Sequence, residues 1–138
     1  MADLIYQTAG ALPSQRKILL HGDSGAGKTR IGALAPDPII ILTEPNGLAT
    51  IQSVNPNAMV VEATDLATVT RVLKDAAGGQ LTEKLGRKTL VLDSLTELQR
   101  MIRDDILATK SGGTFTLQDW GTLTDRTRKL IRLLRNVR

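Results

Sequence analysis

Between an apolar run and a helical pattern, the chain carries Gly22-Asp23-Ser24-Gly25-Ala26-Gly27-Lys28-Thr29. This stretch meets G-x-x-x-x-G-K-[ST] in full at Gly22, Gly27, Lys28 and Thr29. The pattern has physical meaning only where a strand ends, a glycine-rich loop turns and a helix begins. Residues 17–21 and 28–34 supply the strand-like and helix-like flanks in that order. Glycines let the backbone wrap closely round phosphate oxygens. The helix that follows points its free N–H groups and positive dipole end at the same place. Lys28 brings a mobile point charge to the β- and γ-phosphates, and the Thr29 hydroxyl is a hard oxygen suited to Mg²⁺. The expected cradle is Gly22, Asp23, Ser24, Gly25, Ala26, Gly27, Lys28, Thr29 and Arg30, with ATP and Mg²⁺ as its ligands. A dinucleotide fingerprint fits less well, because Gly25-Ala26-Gly27 would need a glycine where the chain has Arg30.

The rest of the chain alternates between apolar runs and helical patterns. Residues 1–15 are weakly patterned, with Gly10 and Pro13 as breakers, and residues 1–16 are read as a lead-in to a P-loop domain over residues 17–138. Residues 17–21 read as a buried strand, and the helix after the loop stops near Pro36 and Pro38. Residues 38–43 form a second expected strand, whose continuous apolar run suits a parallel sheet covered on both faces. It ends in the turn Glu44-Pro45-Asn46-Gly47. Residues 58–62 give a third, short strand. Thr64 is placed to cap a helix over residues 65–77, in which Leu66, Val69, Val72 and Leu73 recur at helical spacing. A fourth strand, residues 88–93, ends in Asp93, and Ser94-Leu95-Thr96-Glu97 has the spacing of a capping box at the head of another helix. A polar loop over residues 109–118 leads to a last helix from about residue 119 onward. The alternation predicts an α/β fold with a mostly parallel sheet flanked by helices.

Composition excludes several chemistries. The chain has 138 residues, enough for one domain with a real core. Tyr6, Phe115 and Trp120 are its aromatic residues, so the core must be aliphatic, and Trp120 is expected to be a packing anchor. The absence of cysteine removes disulfides and thiolate metal sites, and the lone His21, at a strand end, is read as packed or hydrogen-bonded. No apolar run has membrane-spanning length and the start lacks a secretory pattern, so no membrane partner is expected and a cytoplasmic protein is the default. The net charge of +4 is unevenly placed. Arg126, Arg128, Lys129, Arg132, Arg135 and Arg138 fall in the last thirteen residues, which hold no acid, and without them acids outnumber bases.

Two acids close apolar strands near the P-loop. Asp93 follows Leu90-Val91-Leu92 as the aspartate of a Walker B strand does, a position that holds Mg²⁺ together with Thr29. Residue 94 is Ser, so the Asp-Glu pair of many ATPases is absent and the carboxylate that orients water must come from elsewhere. In a doubly wound sheet the carboxyl ends of the strands line the ligand crevice, which makes Glu44 the candidate, beside Lys28, for a catalytic role.

The order of P-loop, Leu42-Thr43-Glu44 and Leu92-Asp93-Ser94-Leu95 resembles the RecA-like ATPase core. Within that family, residues 93–99 (Asp-Ser-Leu-Thr-Glu-Leu-Gln) and 117–121 (Leu-Gln-Asp-Trp-Gly) are similar to phage-encoded ATP-binding proteins of the AAA type, implicated in single-strand annealing recombination. The resemblance spans about residues 16–138. It implies Mg²⁺-dependent ATP hydrolysis, a water-activating Glu44, self-assembly into oligomers that complete the site from a neighbouring subunit, and a phage-infected or prophage-carrying host. It also implies that the loop after the Walker B helix faces single-stranded DNA, which here names Lys110, Gly112, Gly113 and Phe115 as a nucleic-acid contact. The same loop reads equally as a surface connection, and the basic last helix reads as a solvated face or as a nucleic-acid patch. RecA-like cores continue past this helix, and one of the later strands separates the P-loop strand from the Walker B strand. The resemblance therefore predicts a domain incomplete at its C-terminus with a gap at the sheet centre. The alternative is a smaller domain whose Walker strands pair directly. Rival functions are a nucleotide-dependent assembly or packaging factor without DNA binding, and a non-catalytic nucleotide-binding fragment. A small-molecule kinase fits less well, for want of an arginine-rich lid.

Overall fold

Strand β1 (Pro38–Leu42) is buried at every position in the computed structural model, which describes residues 15–137. Its side chains alternate between two faces, as a strand's must. Ile40 and Leu42 pack with Ala33 and Ile51 on one side. Ile41 packs with Val69, Leu73, Leu98, Ile102, Ile106, Leu123 and Leu130 on the other. Apolar residues at consecutive positions are what a strand covered on both faces requires.

Strands β2 (Met59–Glu62) and β3 (Thr89–Asp93) flank β1, both parallel to it, in the order β2-β1-β3. The register aligns Leu42 with Glu62 and with Asp93, so the carboxyl ends of all three strands are level. Helices α1 (Lys28–Ala33) and α2 (Leu48–Val54) cover one face. Gly32 of α1 lies so close to Val91 that a Cβ there would stand 2.9 Å from a methyl group, which fixes α1 on β3. Helices α3 (Leu66–Ala77), α5 (Leu95–Ala108) and α6 (Leu117–Arg135) cover the other face, while α4 (Gln80–Leu85) closes the edge through Leu81.

Several local expectations shift. Asp65, not Thr64, caps α3, accepting the Thr68 N–H at 2.8 Å, and the Thr68 N–H and hydroxyl hold its carboxyl below the usual carboxylate range. The capping box at α5 is half formed. The Ser94 hydroxyl accepts the Glu97 N–H at 3.3 Å, but the Ser94 N–H donates to Thr43 Oγ1 and the Glu97 carboxylate pairs with Arg100. A complete box instead starts α6, between Thr116 and Asp119.

Residues 17–21 are not the expected buried strand. Ile18 is 77% exposed and Leu19 81% exposed, and neither pairs with a strand. Among the described residues, β3 carries β1 on one edge and no strand on the other. The run joins neither that edge nor any other ladder, and all five of its residues are exposed. Among the described residues, the P-loop run and β3 do not pair directly. The lead-in expected over residues 1–16 lies outside the described residues as far as position 14.

Candidate nucleotide-binding site

The glycine-rich loop enters α1 through two left-handed residues, Gly25 (φ 81°) and Gly27 (φ 90°). Only glycine adopts this conformation without strain. The space where a side chain would begin is open for 4 Å at both positions, leaving a bare backbone cradle. Gly27 is the N-cap of α1 and offers no side chain to the first-turn N–H groups. Lys28 folds back over the loop, donating from Nζ to the carbonyl oxygens of Gly22 at 2.7 Å and Asp23 at 2.6 Å. Arg30 points from the same turn and is exposed, as are Asp23, Ser24 and Ala26.

The level strand ends deliver the rest of the site. The Thr29 hydroxyl donates to Asp93 Oδ2 at 2.6 Å, joining α1 to the tip of β3 across 64 positions of sequence. Thr43, buried just beyond β1, fastens the same tip. Its N–H and its hydroxyl both donate to the Asp93 carbonyl, at 2.8 and 3.0 Å, and its hydroxyl oxygen accepts the Ser94 N–H at 2.8 Å. Ser94 in turn donates from Oγ to Glu44 Oε1 at 2.8 Å. Gly47 presses in behind them. A Cβ there would lie 2.7 Å from Leu42 Cδ1 and 3.7 Å from Asp93 Oδ2.

Lys28, Thr29, Asp93 and Glu44 are thus assembled at one end of the sheet, through Ser94, which the RecA-like resemblance joins to Asp93 in the Mg²⁺ site, and through Thr43 and Gly47, to which sequence reasoning assigned no role in the site. Their signal was positional. Each lies within three residues of a strand-end acid, and Thr43 is a polar residue closing an otherwise apolar run. The open glycine cradle and the lysine above it fit a phosphate chain, and the Thr29–Asp93 oxygen pair fits Mg²⁺, which takes few protein ligands and keeps several waters. Among the described residues no group of three or more His, Cys, Asp or Glu side chains is placed to hold a metal ion. A groove of about 570 Å³, lined by Leu66, Arg71, Lys74, Asp105 and Arg126, is lined by none of these site residues.

The expected DNA loop lies elsewhere. Lys110 is held in a short ion pair with Asp119 and reaches Thr116 Oγ1 at 3.4 Å. Gly112 and Gly113 are exposed, and Phe115 is half-buried. Trp120 is not the packing anchor expected. The residue is 56% exposed, and its ring meets Phe115 edge-to-face, with ring centroids 5.0 Å apart. His21 is also exposed rather than packed.

Among the described residues no helix is long and apolar enough to cross a membrane. No curated protein and no solved structure matches the chain. The model of an AAA domain family matches residues 14–138, a span that holds the P-loop, all three strands and Asp93. The chain therefore belongs to that AAA domain family, and its α/β fold is that of an AAA-type, P-loop ATPase-like nucleotide-binding domain.

Proposed function

We propose that this domain hydrolyses ATP with Mg²⁺ and that turnover serves the handling of single-stranded DNA in phage recombination. The observation that carries the hydrolytic reading is the juxtaposition of the Thr29–Asp93 pair with Glu44, whose carboxylate Ser94 holds at 2.8 Å. Lys28 exchanges its loop carbonyls for phosphate oxygens and stabilises charge on the transferring phosphoryl group. Thr29 and Asp93 hold Mg²⁺, which when bound neutralises charge on the phosphates. Glu44 accepts a hydrogen bond from the attacking water and orients it in line with the bond that breaks. The DNA reading is supported by the likeness of residues 93–99 and 117–121 to phage annealing-associated proteins and by the basic last helix.

Thermal melts and turnover assays test the reading together. Mg-ATP at about 100 times its dissociation constant adds about 2.7 kcal/mol, a rise in Tm of roughly 10 °C for a domain of this size. Lys28→Ala is expected to lose that rise. Glu44→Gln is expected to keep it while turnover falls by about 10²- to 10⁴-fold. An unchanged melt with Mg-ATP would remove the nucleotide site. Equal turnover in Glu44→Gln would remove Glu44 from catalysis. Stimulation of turnover by single-stranded DNA separates this function from an assembly or packaging factor that uses nucleotide alone.

A further inference from the structure

Helix α6 buries one face and leaves the opposite one unpartnered. Leu123, Thr127 and Leu130 are inside. Leu117, Trp120, Gly121, Thr124, Arg128, Ile131 and Arg135 fall on one outward stripe at helical spacing, and all are exposed. Leu117 is 88% exposed. An indole left in solvent is an unusual use of the chain's single tryptophan.

The indole is also supported on one side. Phe115 meets it at an interplanar angle of 82°, and the Arg103 guanidinium lies 5.7 Å from the Phe115 ring centre. The turn that carries Phe115 is tied to α6 by Asp119, which accepts from Lys110 and from both the N–H and the hydroxyl of Thr116. Such bracing reduces the entropy that a ring must lose when a flat ligand stacks on it. Gly121 adds an independent sign. A glycine inside a helix costs about 1 kcal/mol relative to alanine. Here no neighbour requires it, since the space its Cβ would fill is open. A small residue beside an exposed indole gives a ligand room to lie flat.

Charge selects the ligand. Arg128 and Arg135 lie on the same stripe, about 12 and 22 Å along the helix from Trp120. Arg128 shares Asp125 at 3.0 Å, and no acid follows Asp125 in the chain. An exposed aromatic at one end of a stripe and guanidinium groups towards the other suit a single strand that stacks one base and runs its phosphates on along the helix. We infer that the outward face of α6 binds single-stranded nucleic acid, with Trp120 as the base-stacking residue and Arg128 and Arg135 along the phosphate path. This rests on the DNA-handling reading above and gives it a location.

Because Trp120 is the only tryptophan, its emission reports on this face alone. Unlabelled oligothymidylate titrated into the full chain is expected to quench that emission, and a duplex of equal length to quench it less. By anisotropy of a labelled oligothymidylate, Trp120→Ala is expected to weaken binding by about 5- to 150-fold, with Trp120→Phe recovering most of the loss. Arg128→Gln together with Arg135→Gln is expected to lower the salt-dependence slope of binding by about 1.4. Circular dichroism shows whether each variant is folded, and the exposed position of Trp120 makes Trp120→Phe a control that folds. Binding seen by anisotropy without quenching and without dependence on Trp120 would overturn this inference and leave the DNA reading standing. No binding to any single strand would overturn both. Emission that shifts with protein concentration but not with oligonucleotide would identify the stripe as a contact between copies and overturn the inference.

Discussion

Ser94 uses one hydroxyl for two purposes. It caps α5 by accepting the Glu97 N–H and steadies Glu44 by donating to Oε1. A helix start and the Glu44 carboxylate are thereby coupled through a single oxygen. A serine at this position therefore carries more than the absence of an Asp-Glu pair suggests. Asp119 plays the comparable part at the far end of the domain. Lys110, then the Thr116 hydroxyl and N–H, hold its carboxyl down at about 2. A depressed carboxylate stabilises the folded state fully above its unfolded pKa, and that contribution is lost as pH falls through the folded one. Melts of wild type and Asp119→Asn should therefore differ by a constant amount above about pH 5. The difference should narrow between the ordinary value of 3.8 and about 2. A gap that stays constant down to pH 2 would show that Asp119 acts through shape alone.

At the scale of elements, segments with a sustained period, an apolar run or a motif were legible, and α2 and α4, which have none of these, were not. Helices α3, α5 and α6 each bury three or more residues at helical spacing, and β1 is an unbroken apolar run. Helices α2 and α4 are seven and six residues long and have one buried anchor each, Ile51 and Leu81, so no period could reveal them. Residues 17–21 misled for the opposite reason. Their composition is that of a strand, but a strand also needs a neighbour to pair with. The P-loop, Asp93 and Glu44 were readable because motif and strand end coincide in sequence. Thr43 and Gly47 were not, because their roles depend on which strands lie side by side. Gly47 tests that point. Its φ of −72° suits any residue, so Gly47→Ala adds no backbone strain and only drives a methyl into the buried Leu42 side chain. The expected cost is about 1–3 kcal/mol by denaturant unfolding. A neutral substitution would mean that Leu42 can move.

For the whole molecule, β1 is the shared wall of two cores. Ile40 belongs to the α1–α2 side and Ile41 to the α3–α5–α6 side. Adjacent residues thus report on opposite layers, and a domain built this way should unfold as one unit. Ile40→Ala and Ile41→Ala are each expected to cost about 2–5 kcal/mol and to lower the same single transition. Two separate transitions, one moved by each variant, would show that the layers unfold independently.

The P-loop lysine has a consequence for timing. With its ammonium bonded to the Gly22 and Asp23 carbonyls, the loop holds internally the charge that a triphosphate would use. On the function proposed above, an arriving nucleotide would compete for that lysine, and capture would be an exchange of partners and not a simple docking. Ligands too poor in phosphate to win the exchange would leave the loop latched. The site would then distinguish nucleotides by their tails before any difference in the base is felt.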